Sequence, residues 1–163
     1  MVPRLRILAR AAATILTITC LCPCELQAGD FQALFVDANY AKPVRFNFGG
    51  SLFFSHQDVA NTPAIDGASG IIVGGSVGRG GMQVWGGKAL LGGPNADFRA
   101  VVTRTSDNPR RASGNATYLG GEVGWGLGAR FSVGYAKRIS ARSTGDGHIL
   151  TWGIGVEIPV WFR

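Results

Sequence analysis

The chain has 163 residues, of which 25 are glycine, 46% are hydrophobic and only 16% are charged, with a formal net charge of +6. Glycine at about twice its ordinary usage, combined with so much apolar content, excludes a disordered charged tail, and the length suits one domain. Arg4, Arg6 and Arg10 make a basic start, Ala11 to Leu21 is uncharged and mostly apolar, and Leu26-Gln27-Ala28 offers a small-residue cleavage site before Gly29. Residues 1–28 are therefore expected to be a secretory signal peptide, and 29–163 the mature domain. The apolar run ends at Pro23 and Glu25, short of the about 20 residues that an uncleaved anchor needs.

Cys20, Cys22 and Cys24 all fall in this leader, and none has the small residue before it that lipoprotein processing requires. A chain cut after Ala28 would have no disulfide, zinc site or thiol nucleophile. Removing the three leader arginines and Glu25 leaves thirteen Lys and Arg against nine Asp and Glu, a charge of +4. For an exported protein that modest excess points to lipopolysaccharide phosphates or acidic glycans rather than nucleic acid.

Past Gly29, period-two patterning recurs and no segment sustains a helical period, so the mature chain reads as all-β. Eight strands are expected, over Phe31–Asp37, Val44–Ser55, Gly70–Arg79, Met82–Leu91, Asp97–Thr105, Ala116–Gly126, Arg130–Ser140 and His148–Phe162. Turn chemistry marks Asn39 to Pro43, His56 to Ser69, Gly80-Gly81, Gly92 to Asn95, Ser106 to Asn115 and Ala141 to Gly147. Connections of a few residues require antiparallel neighbours. In the second strand Val44, Phe46, Phe48, Leu52 and Phe54 share a face. The same holds for Leu119, Val123, Trp125 and Leu127 in the sixth and for Phe131, Val133, Tyr135 and Ile139 in the seventh. Met82–Leu91 is ambiguous, because Lys88 shares a face with Val84 and Leu90, whereas Gln83 shares one with Trp85.

From Leu150 to Phe162 every even position is large and apolar: Leu150, Trp152, Ile154, Val156, Ile158, Val160 and Phe162. Thirteen extended residues span about 43 Å, or about 33 Å after a 40° tilt, enough to cross an apolar band of about 25 Å. This strand resembles the terminal strand of Gram-negative outer-membrane β-barrel proteins, which ends in an aromatic residue preceded by alternating apolar positions. On that resemblance Val156, Ile158, Val160 and Phe162 are the signal read by the barrel assembly machinery, although Arg163 follows the aromatic where the family usually stops. Leader, cysteine-free mature chain and glycine-rich alternating strands together resemble small barrels of the OmpA and OmpX type. The resemblance implies an antiparallel up-and-down transmembrane barrel of eight strands, monomeric, in contact with outer-membrane lipid and lipopolysaccharide, without a cofactor.

In this register Arg45, Arg99, Arg130 and Arg138 face the lumen with Glu122 and Glu157. An eight-stranded lumen is just wide enough for side chains to fill, so these charges are expected to pair as a structural plug with at most a narrow pore. Arg110 and Arg111, in the Ser106 to Asn115 loop, are a candidate contact for a surface anion, since guanidinium groups suit multidentate recognition. If the last strand ends in the periplasm, the His56 to Ser69 segment falls on the side where short turns are expected. Either an extra strand lies near Asp58–Ile65, or Phe31–Asp37 is not a strand, or the connection rule is broken here.

Other motifs carry less. Gly74 to Gly81 lacks the Gly-Lys-Ser/Thr of a phosphate loop, and strand glycines commonly relieve crowding in a narrow lumen. His56 and His148 are two isolated histidines and make no metal site. Ser55, His56 and Asp58 are too close in sequence for a catalytic relay. His148-Ile149-Leu150-Thr151 departs from the His-x-Ser-Asn motif of lipid A-deacylating barrels. The expected role is thus structural or surface-interacting, not enzymatic; the rivals are a soluble ligand-binding β-barrel or sandwich and a lipid-modifying barrel enzyme.

Overall fold

The computed structural model describes residues 31–55, 68–92, 94–140 and 147–162, and the expected leader and its cysteines lie outside them. The described chain is all-β: β1 (Phe31–Lys42), β2 (Arg45–Ser55), β3 (Ala68–Gly78), β4 (Gly81–Leu91), β5 (Asn95–Thr105), β6 (Thr117–Leu127), β7 (Ala129–Arg138) and β8 (His148–Phe162). Each strand pairs antiparallel with its chain neighbour, and β1 pairs antiparallel with β8, so the sheet closes into an eight-stranded up-and-down barrel. Closure leaves no unpaired edge. It also settles the strand count: Phe31 begins a strand, and β2 pairs directly with β3, so the wall holds no strand between them.

Alternation decides which side chain points where. On β5 Arg99, Val101, Thr103 and Thr105 are buried in the lumen, while Phe98, Val102 and Arg104 are exposed. On β4 the ambiguity resolves with Gln83 and Ala89 buried and Val84, Lys88 and Leu90 outside. Even positions of β8 from Leu150 to Ile158 face outward, as expected. A register shift opposite Leu34 and Phe35 then breaks the alternation, and Val160 and Trp161 are both exposed. Pro159, which cannot donate to the ladder, stands at that irregularity.

Two local expectations are corrected. Asn39 to Lys42 belongs to β1 rather than to a turn, because Tyr40 continues the outward alternation and Asn39 pairs with Asn47 and Gly155; only Pro43 and Val44 bend the chain. Val44 is fully buried instead of sharing the outward face of Phe46, because Arg45 has φ 67° and resets the alternation at the start of β2. Gly128, at φ 74°, closes the tight β6–β7 turn in a conformation that glycine adopts without strain.

The two ends of the barrel differ. The turns at Pro43-Val44 and Arg79-Gly80, the 106–116 loop and the β7–β8 connection lie at one end, here the loop end; the start of β1 and the end of β8 lie at the other, with the β2–β3 connection. Two apolar clusters fill parts of the lumen. Ala33, Phe35, Phe53, Ile72 and Ala89 pack toward the end of the chain termini, and Ala116, Tyr118, Ala136 and Ile149 pack toward the loop end.

Candidate functional site

Between these clusters β5 to β8 place a group of charged side chains in the lumen. Asp97 is its hub. Arg130 donates from Nε to Asp97 Oδ2 at 3.1 Å and from Nη2 to Oδ1 at 2.8 Å, a two-pronged pair. Arg99 approaches the same carboxylate, with Nε 2.7 Å from Oδ1 and Nη2 donating to Oδ2 at 3.2 Å. Glu122 lies 3.6 Å from Arg130, and Glu157 lies 3.7 Å from Arg99 and accepts from Ser51 Oγ at 3.3 Å. The Arg99 guanidinium also sits 5.3 Å from the Trp85 ring centre, within range of a cation–π contact.

Register explains the convergence: Arg99 is directly opposite Glu122 across the β5–β6 ladder, and Glu157 opposite Asp37 across β8–β1. Asp37 Oδ1 accepts from Asn39 Nδ2, while its buried Oδ2 has no hydrogen-bond partner. Glycine makes the room. A Cβ on Gly124 would lie 2.2 Å from Arg130 Nη2, and one on Gly74 would lie 2.8 Å from the Trp85 ring, so the glycines of β3 and β6 admit large side chains to a narrow tube. Two small cavities border the network, one of about 30 Å³ in the lumen and one of about 20 Å³ beside the β6–β7 turn, with room for about one water each.

Four of the six expected lumen charges, Arg99, Glu122, Arg130 and Glu157, come together here. Arg45 and Arg138 do not, because both stand at the loop end: Arg45 follows the Pro43-Val44 turn, and Arg138 Nη1 donates to Ser113 Oγ at 3.4 Å. Sequence reading missed Asp97, the center of the network, and Asp37. Asp97 falls at the start of its strand, and only the ladder to β6 and β7 shows it facing Arg130; period-two spacing from Arg99 was the signal available.

The 106–116 loop folds back onto the loop end of the barrel. Ser106 N donates to Gly80 O at 2.9 Å and Arg110 N donates to Pro43 O at 3.1 Å, which ties the loop to the β3–β4 and β1–β2 turns. Arg110 Nη1 donates to Tyr40 Oη, and its guanidinium lies 5.6 Å from the Tyr40 ring centre. Of the expected anion pair, Arg110 is thus engaged in fastening the loop, while Arg111 beside it is exposed at φ 50°. Ser113 N donates to Tyr118 Oη at 2.9 Å, which anchors the far limb of the loop to the apolar cluster below.

Of the residues expected to form an assembly signal, Val156, Ile158 and Val160 are exposed on the outer face, and the side chain of Phe162 lies outside the described set. His148 Nδ1 is 2.6 Å from Tyr135 Oη with the rings stacked, at the rim rather than in a pocket. Among the described residues no group of three or more His, Cys, Asp or Glu could hold a metal ion. Comparison with known proteins finds no matching family model, no matching characterised protein and no matching solved structure.

Proposed function

We propose that this protein is an integral β-barrel of the Gram-negative outer membrane, with a structural or surface-interaction role exerted from its loop end and a lumen closed to all but the smallest solutes. The observation that carries this reading is the outer wall. Among the described residues twenty-seven large apolar or aromatic side chains are exposed there, including Phe48 at 61%, Phe98 at 62% and Ile158 at 57%, while the buried set includes Asp37, Asn47, Ser51, Gln83 and Arg99. A soluble ligand-binding barrel would carry the opposite arrangement, oil inside and polar groups outside.

Polar and aromatic groups on the wall are graded along the axis. Lys42, Arg104 and Lys137 mark the outward face near the loop end, and Lys88 stands three residues from the other end of β4, with its long stem free to carry the charge toward water. Tyr40, Tyr135 and Trp152 form an aromatic belt near the loop end, and Phe98, Trp125, Phe131 and Trp161 form another near the termini. Tyr40 and Trp152 ring centres are 6.0 Å apart, and those of Trp125 and Phe131 are 6.3 Å apart. Eleven-residue strands such as β2 to β6 span about 36 Å along the strand, about 28 Å along the axis at 40° tilt, which matches the apolar band of outer-membrane barrels. Paired charges and apolar clusters in the lumen support a plug rather than an open channel.

Cell fractionation tests this reading. The protein is expected in the membrane fraction, released by detergent and migrating differently on gels with and without boiling; recovery from the periplasm without detergent would overturn it.

A further inference from the structure

Among the described residues the cations of the barrel surface are concentrated at one end. At the loop end Arg79, Arg104, Arg111 and Lys137 are exposed, and among the described residues no carboxylate forms a salt bridge with any of them. Toward the other end the outward face of the described strands carries one cation, Lys88.

Three of these cations line one arc of the rim. Arg104 stands opposite Thr117 on β6 and donates from Nη1 to its Oγ1 at 2.9 Å, which fixes the guanidinium against the wall. Lys137 stands opposite Leu119, one strand further on. Arg79 lies on the other side, its carbonyl accepting from Ser106 Oγ at 2.9 Å just beyond the end of β5. With strands about 4.8 Å apart and a two-residue diagonal offset, the backbones of Arg104 and Lys137 are separated by about 12 Å. Beside and below the arc the wall is apolar, with Val84, Val102 and Leu119 in one ladder row with Lys137 and Tyr135 two residues before it, all exposed.

Cations above an exposed apolar wall complement one kind of partner: an amphiphile whose acyl chains lie on Val84, Val102 and Leu119 while phosphate oxygens reach Arg79, Arg104 and Lys137. We propose that this arc is a binding site for an anionic acyl lipid that carries a phosphate monoester, in the leaflet at the loop end. The inference rests on the membrane reading above and adds a partner chemistry and a position to it. Lys42 and Arg110 lie outside the site, Arg110 being held on Tyr40.

The test uses the full barrel folded into phosphatidylcholine vesicles, with and without phosphatidic acid, and reads the urea midpoint of unfolding. Phosphatidic acid is expected to raise the midpoint, because a ligand bound only by the folded state stabilises it, and added salt is expected to shrink the gain. The triple variant Arg79→Gln, Arg104→Gln, Lys137→Gln should lose the gain, and Lys88→Gln should keep it. If the triple variant does not fold, Arg104→Gln alone should lose part of it. Equal gains in the parent and the triple variant, no gain in the parent, or the same gain from inorganic phosphate in plain phosphatidylcholine would each overturn the proposal. Failure of the parent to fold into any vesicle would instead overturn the membrane reading beneath it.

Discussion

The outer wall and the lumen are made from alternate residues of the same strands, yet they place different demands on sequence. On β8 Leu150, Trp152 and Ile154 are exposed, while Ile149, Thr151 and Gly153, which alternate with them, are buried. On the membrane reading proposed above, the outer positions need only be apolar, since a uniformly apolar surround would ask for no particular partner. The inner ones are chosen pairwise: Asp97 for Arg99 and Arg130, Gly124 for the room Arg130 needs, Gly74 for Trp85. A substitution on the wall should therefore act through its own polarity and depth, and one in the lumen through the partner it abandons.

The largest effect is expected at the hub. Asp97→Leu leaves two buried guanidinium groups without their shared carboxylate and should lower stability by about 3–5 kcal/mol, measured as unfolding in vesicles or detergent. Glu122→Leu or Glu157→Leu should cost less, because their contacts to Arg130 and Arg99 are longer, at 3.6 and 3.7 Å. A hub that could be removed without loss would mean that these charges are solvated, as in an open channel.

Next comes the wall. Ile154→Arg places a charge near mid-strand on the outward face and should cost about 2–4 kcal/mol in a lipid bilayer; Ile139→Arg, just past the end of β7, should cost about 0–1 kcal/mol. Ile139 makes the fairer comparison than Thr151, since Thr151 is only 4% exposed and its Oγ1 would lie 2.7 Å from a Cβ on Gly134, so that an arginine there would fail through crowding alone. Equal costs at Ile154 and Ile139 would remove the depth dependence on which the comparison depends. Gly124→Ala, the smallest chemical change, must displace Arg130 Nη2 from 2.2 Å and should cost about 1–3 kcal/mol by overpacking. Combined with Asp97→Leu it should add little, because the contact it disturbs is already gone.

This same difference accounts for what could be read in advance. Eight strands, their antiparallel order and the outward sets of β6 and β7 were legible, because alternation is local and any apolar residue satisfies it. The charge network was legible only in part. Arg99, Glu122, Arg130 and Glu157 announce themselves by parity, and the parity of Asp97 with Arg99 offered the same signal at the edge of its strand, but which charge meets which is set by register across three ladders, which a single strand does not encode. Parity also misled where the backbone departs from the pleat. Arg45 at positive φ turned Val44 inward, and the register shift opposite Leu34 and Phe35 put Val160 and Trp161 on the surface together. The role of Arg110 was invisible for a third reason: Tyr40 lies seventy residues away, and only the fold of the 106–116 loop over the barrel end brings them together.

The tryptophans allow the central claim, that the apolar wall faces lipid, to be tested most directly. Trp125 and Trp152 are exposed on the outer wall at 50% and 38%, whereas Trp85 lies in the lumen beside Arg99. Variants that retain one tryptophan each, with phenylalanine elsewhere, can be folded into vesicles of lipids brominated on their acyl chains, and quenching of fluorescence measured. Strong quenching of Trp125 and Trp152 with little quenching of Trp85 is the predicted result; no quenching at Trp125 and Trp152, or quenching as strong at Trp85, would contradict it.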